Sequence, residues 1–97
     1  MNNYEAMFIF KPNIDEEKLE KEMKSVEQAI KINAKGEVKY DNLGKKTMAY
    51  EVKKFKEGVY VNYVFTAQPL AIREIKETLK HKDDILRFMF LVKGRKK

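Results

Sequence analysis

The chain has 97 residues, 43% of them hydrophobic and 37% charged, which is enough apolar material for one core and leaves no length for a second domain. No apolar run reaches the roughly 18 residues that a membrane-spanning helix needs, and cysteine is absent, so disulfides and thiolate metal sites are excluded. The net charge of +6 is unevenly spread: residues 1–44 carry 7 Lys/Arg against 9 Asp/Glu, residues 45–97 carry 14 against 6, and this asymmetry predicts a face built for a polyanion.

The start, Met1-Asn2-Asn3-Tyr4-Glu5, lacks the basic and apolar regions of an export signal, and with no cysteine a cytoplasmic location is expected. Tyr4 to Lys11 reads as a strand stopped by Pro12-Asn13. Apolar residues point both ways along it, so it is expected at the centre of a sheet. Asp15 is a candidate helix N-cap, with Glu16 and Glu17 where the helix dipole favours anions and Ile14 placed as a staple. Leu19, Met23, Val26 and Ile30 follow at helical spacing. Glu17–Lys21, Glu20–Lys24 and Glu27–Lys31 are one turn apart and predict ion pairs on a solvated face, and Gly36 is the expected C-terminal stop.

Val38 to Lys53 reads as a second strand, interrupted at Asn42-Leu43-Gly44, and Val59 to Thr66 as a third, with Lys54 to Gly58 as the connecting hairpin loop. Pro69 suits the first turn of a second helix with Ile72, Ile75 and Leu79 as its buried stripe. Asp83-Asp84 closes that segment and Ile85 to Val92 is the last strand. Residues 1–93 are expected to form the domain and 94–97 a frayed basic tail.

The order β-α-β-β-α-β predicts an α+β, ferredoxin-like fold: a four-stranded antiparallel sheet with both helices on one face and, from right-handed crossovers, strand order 4-1-3-2. Strand parity puts Phe8, Phe10, Val61, Tyr63, Phe65, Phe88 and Phe90 on the helix side. It leaves Met7, Ile9, Tyr60, Asn62, Val64, Arg87, Met89 and Leu91 on the open side, an apolar patch suited to docking protein or RNA.

Catalytic constellations are missing. His81 is the only histidine, and neither a phosphate-binding glycine loop nor a metal-ligand pair occurs, so no cofactor is expected. An acylphosphatase-like hydrolase would need an anion-cradling loop with an arginine after the first strand, where Lys11-Pro12-Asn13-Ile14 stands. RNA-recognition domains share the fold, but here Gly58 follows Glu57 and Tyr60 and Tyr63 fall on opposite faces, so their stacking platform is not present. The stronger signal is cationic. Lys45, Lys46, Lys53, Lys54 and Lys56 cluster about the central hairpin, Arg87 lies on the open face and Lys93 at the end of the last strand, all residue types that contact phosphates.

Leu43-Gly44-Lys45-Lys46-Thr47-Met48-Ala49-Tyr50-Glu51-Val52-Lys53 resembles the Gly-x-Lys/Arg-x-Leu-Ala-Tyr-x-Ile signature of the bacterial small-subunit ribosomal protein six family, with Met48 for Leu and Val52 for Ile. Tyr4-Glu5, Pro12-Asn13, Asp15 and Gly58 are similar to that family as well, so the resemblance covers Met1 to about Lys93. It implies the ferredoxin-like fold, no enzymatic activity, and binding to the central domain of 16S ribosomal RNA together with small-subunit ribosomal protein eighteen, on the ribosome in the cytoplasm. Lys45, Lys46 and Tyr50 are the motif residues that carry over. With it, Met7, Ile9, Tyr50, Tyr60, Met89 and Leu91 are expected to meet the protein partner and the free domain to be monomeric. The competing reading is a ferredoxin-like module that oligomerises or senses a small ligand through its open face.

Overall fold

The computed structural model describes residues 2–95. β1 (Asn2–Phe10) sits inside the sheet because both of its faces are apolar. It pairs antiparallel with β3 (Phe55–Ala67) through Phe8↔Val61 and with β4 (Ile85–Arg95) through Phe8↔Phe88. β2 (Ala34–Val52) pairs with the far side of β3, so the order is β2-β3-β1-β4, the expected order read from the other edge.

The helices form where capping and stripe agree. The Asp15 side chain accepts a hydrogen bond from the Lys18 amide at 2.8 Å, opening α1 (Glu16–Asn33) with two acids in its first turn. Pro69 begins α2 (Pro69–Leu79) at a position where its missing N–H is no loss. Met23, Val26, Ala29 and Ile30 of α1 and Ile75 and Leu79 of α2 are buried against Phe8, Phe10, Val61, Tyr63 and Phe65 of the sheet. Each large apolar side chain so buried contributes about 1.5–3 kcal/mol. The Phe8 ring meets Tyr63 edge-on at 5.2 Å and Phe88 at 5.5 Å. The Tyr63 hydroxyl, carried into this layer, is satisfied: it donates to the Met23 carbonyl at 2.7 Å.

Four local expectations are corrected. Gly36 does not end α1; the helix stops at Asn33, and Gly36, at φ +76°, lies inside β2 at a bulge where the pairing slips between Lys35 and Lys39. The hairpin does not turn through Lys54–Gly58: Val52 faces Phe55, and Lys53 and Lys54, at φ 51° and 72°, make a two-residue turn with both central residues left-handed. None of the three expected one-turn ion pairs on α1 closes among the described residues. Instead Lys18 pairs with Asp84 at 3.5 Å and Glu22 with Lys82 at 3.4 Å, tying α1 to the segment entering β4. Finally, β4 runs past Val92 to Arg95, because Asn2 and Asn3 supply partners for Arg95 and Gly94; Lys96 and Lys97 of the expected tail lie outside the described residues.

Candidate protein and RNA interface

With both helices on one side, the other face of the sheet carries Met7 and Ile9 from β1, Tyr60, Asn62 and Val64 from β3, and Arg87, Met89 and Leu91 from β4. The register brings these together in rows: Met7 lies between Asn62 and Met89, Ile9 between Tyr60 and Arg87, and Glu5 between Val64 and Leu91. Met89 and Leu91 are 52% and 53% exposed and Val64 42%, an exposed apolar strip.

The lower end of the face is less open than parity alone suggests. Two irregularities re-aim β2. Leu43 is extra in the ladder where Asn42 faces Val61 and Gly44 faces Tyr60. Gly44 there adopts φ +88°, and the Asn42 side chain accepts from its amide at 2.8 Å. Further on, Met48 to Glu51 stand opposite Lys56 alone, between the pairs Thr47↔Glu57 and Val52↔Phe55. The surplus chain leaves the ladder and crosses the sheet face. Met48 is thereby buried, although, like Leu86, it stands apart from the main core. Met7, Ile9 and Tyr60, expected to lie open, are half-buried beneath it.

Between this arm and the sheet is a cleft of about 290 Å³, lined by Met7, Ile9, Met48, Tyr60 and Met89 with Tyr50 and Arg87 at its side. Arg87 was expected with the phosphate-binding lysines. It lies apart from the hairpin turn, with its guanidinium 5.5 Å from the Tyr50 ring centroid and one N–H donated to the Tyr50 hydroxyl. Gly58 makes the close approach possible, since a Cβ there would collide with the Ile9 side chain and lie 3.1 Å from the Phe10 carbonyl.

The lysines fall into two groups. Lys45, Lys46, Lys53, Lys54 and Lys56 are all exposed on the hairpin arm, and none makes an ion pair among the described residues. Lys93 is already engaged: it donates to Glu5 at 3.2 Å, and Asn62 donates to the same carboxylate oxygen. The Asn62 amide first, then Lys93, hold the Glu5 carboxyl below its usual pKa. Met48 and Val52, which line the cleft, were missed as site residues. Their role depends on the unequal arms of the hairpin, which only the register reveals, though both sit in the motif that carried the resemblance.

Among the described residues no group of three His, Cys, Asp or Glu could hold a metal ion, and no helix is long and apolar enough to cross a membrane. A family model for ribosomal protein S6 matches residues 3–92. The chain belongs to the ribosomal protein S6 family. It is 39% identical over 94 residues to small ribosomal subunit protein bS6 of Desulforamulus reducens, covering 97% of this chain and 99% of that one. It is 35% identical to the bS6 of Moorella thermoacetica, covering 92% and 91%. The crystal structure of 30S ribosomal protein S6 from Thermotoga maritima superposes with a TM-score of 0.87 at 31% identity, over 95% of this chain and 87% of that one. The S6 fold and its place in the small ribosomal subunit therefore apply to this chain.

Proposed function

We propose that this S6 chain is a non-catalytic component of the small subunit that binds the central domain of 16S ribosomal RNA together with small-subunit ribosomal protein eighteen. The observation that carries this reading is the adjacency of two unlike surfaces on one hairpin. The arm walls an apolar cleft beside the exposed Val64, Met89 and Leu91, and the same hairpin bears five exposed lysines that make no ion pair among the described residues. An apolar patch rimmed by charge suits a protein partner, and the lysines suit phosphates at the boundary of that contact. Lys45, Lys46, Lys53, Lys54 and Lys56 bind RNA, with Lys93 weakened by Glu5; Met7, Ile9, Tyr50, Tyr60, Met89 and Leu91 meet the partner.

The test is the affinity of the purified chain for central-domain RNA, alone and with protein eighteen, as a function of salt. The reading predicts weak binding by either protein alone, tight binding by the pair, and a log–log salt slope that becomes shallower in Lys45→Ala/Lys46→Ala. A slope near zero, or full affinity without the partner, contradicts it. Sedimentation separates the competing module: a free homodimer with no affinity for small subunits supports oligomerisation through the open face.

A further inference from the structure

The cleft beneath the Met48–Glu51 arm holds an unbalanced charge. Arg87 makes no ion pair among the described residues. The Tyr50 ring and hydroxyl orient the guanidinium and bring no carboxylate to it. Glu5, an acid on the same sheet face, is occupied by Lys93 and Asn62. No carboxylate lines the cleft itself. A planar cation fixed in orientation beside an apolar hollow is complementary to a carboxylate, which arginine can engage through two parallel N–H groups.

The hollow has the size and chemistry for a side chain. Its volume of about 290 Å³ is roughly twice that of a cavity known to accept a benzene-sized guest. Its walls are mainly thioether, aliphatic and aromatic, and three of the five methionines of the chain contribute. Such walls adapt to an apolar occupant. They offer few of the directed donors and acceptors that read a nucleobase edge, so protein is favoured over RNA.

Resting on the reading of this face as the protein-docking surface, we propose that the cleft receives one bulky apolar side chain of the partner, and that Arg87, positioned by Tyr50, pairs with an Asp or Glu carboxylate within a residue or two of it. The recognised element is an acidic–apolar segment.

Titration calorimetry of the full chain with protein eighteen, without RNA, tests this. Arg87→Glu weakens binding by roughly thirtyfold or more, as expected for a desolvated ion pair turned repulsive. Arg87→Lys, which keeps the charge and loses the planar fork, falls between. Reversing the partner's acidic residues to Arg one at a time finds one that restores binding to Arg87→Glu. Met89→Asp, in the docking strip, is measured in parallel. If Arg87→Glu binds like wild type while Met89→Asp does not, the docking surface stands and the carboxylate pairing is overturned. If both bind like wild type, the docking surface fails and the pairing with it. If Arg87→Glu binds protein eighteen like wild type but loses affinity in a parallel filter-binding measurement with central-domain RNA, the cleft belongs to RNA and the proposal is overturned.

Discussion

Tyr50 and Arg87 touch although β2 and β4, which carry them, are the opposite edges of the sheet. The contact forms because the surplus residues Met48 to Glu51 of β2 swing across β3 and β1 rather than pairing. It closes one side of the cleft. An exposed cation–π contact contributes about 0.5–1 kcal/mol, so the arm is held lightly. Tyr50→Ala should lower urea-unfolding stability by about that amount and weaken partner binding more than it weakens the fold. Tyr50→Phe, which keeps the ring, should retain most of both.

Tyr63 carries an alkaline sensitivity. Burial is the main cause that pushes its phenol well above the ordinary value near 10, with Tyr40 and Glu27 adding to it. A raised folded pKa means that its stabilising contribution is intact below about pH 10, the unfolded value, and is lost as pH rises beyond it. Tyr63→Phe should lose about 1 kcal/mol at neutral pH with the Met23 hydrogen bond. The same variant should show a flatter decline of stability above pH 10 in parallel denaturant titrations.

Gly58→Ala should destabilise the domain by about 1–3 kcal/mol. The new methyl would meet the branched Ile9 side chain and the Phe10 carbonyl, and the second of these is backbone that cannot turn away. The check is a lower unfolding midpoint in urea at unchanged m-value.

The turn at Lys53-Lys54 allows stability and the proposed RNA contact to be tested apart. Both residues hold positive φ, which favours Asn and Gly over Lys. Lys53→Asn/Lys54→Gly should therefore raise stability by about 1 kcal/mol while lowering RNA affinity through two lost cations. A variant that is more stable and binds RNA as before would reassign these lysines to solubility.

Much of this was legible in the chain. The alternation of β1, the Asp15 cap, the α1 stripe and Pro69 are local signals with a single physical reading, and parity then assigned Phe8 and Tyr63 to the core and Met89 and Leu91 to the open face. What was not legible depends on pairing register. Lys53-Lys54 lacks the Asn-Gly chemistry of a tight turn, so a local pattern favours a turn downstream, toward Gly58. Gly36 looked like a helix stop because a bulge glycine and a capping glycine are the same residue to a local pattern. Glu17, Glu20 and Glu27 each have a lysine one turn on, but spacing alone does not close an ion pair on a solvated face, and the contacts that α1 does make, Lys18 with Asp84 and Glu22 with Lys82, join residues more than fifty positions apart. The cleft follows from four residues of β2 facing one of β3, a relation no stretch of sequence contains by itself.

The central claim, that the open sheet face and its covering arm dock a protein partner, is tested most directly by methionine methyl NMR. Met7, Met48 and Met89 line the cleft, and Met23 is buried in the core between sheet and helices. Titrating methyl-labelled chain with protein eighteen should shift and broaden the Met7, Met48 and Met89 signals while Met23 stays in place. Complex formation that leaves those three signals unmoved would contradict the account and put the partner elsewhere, beginning with the outer edge of β2.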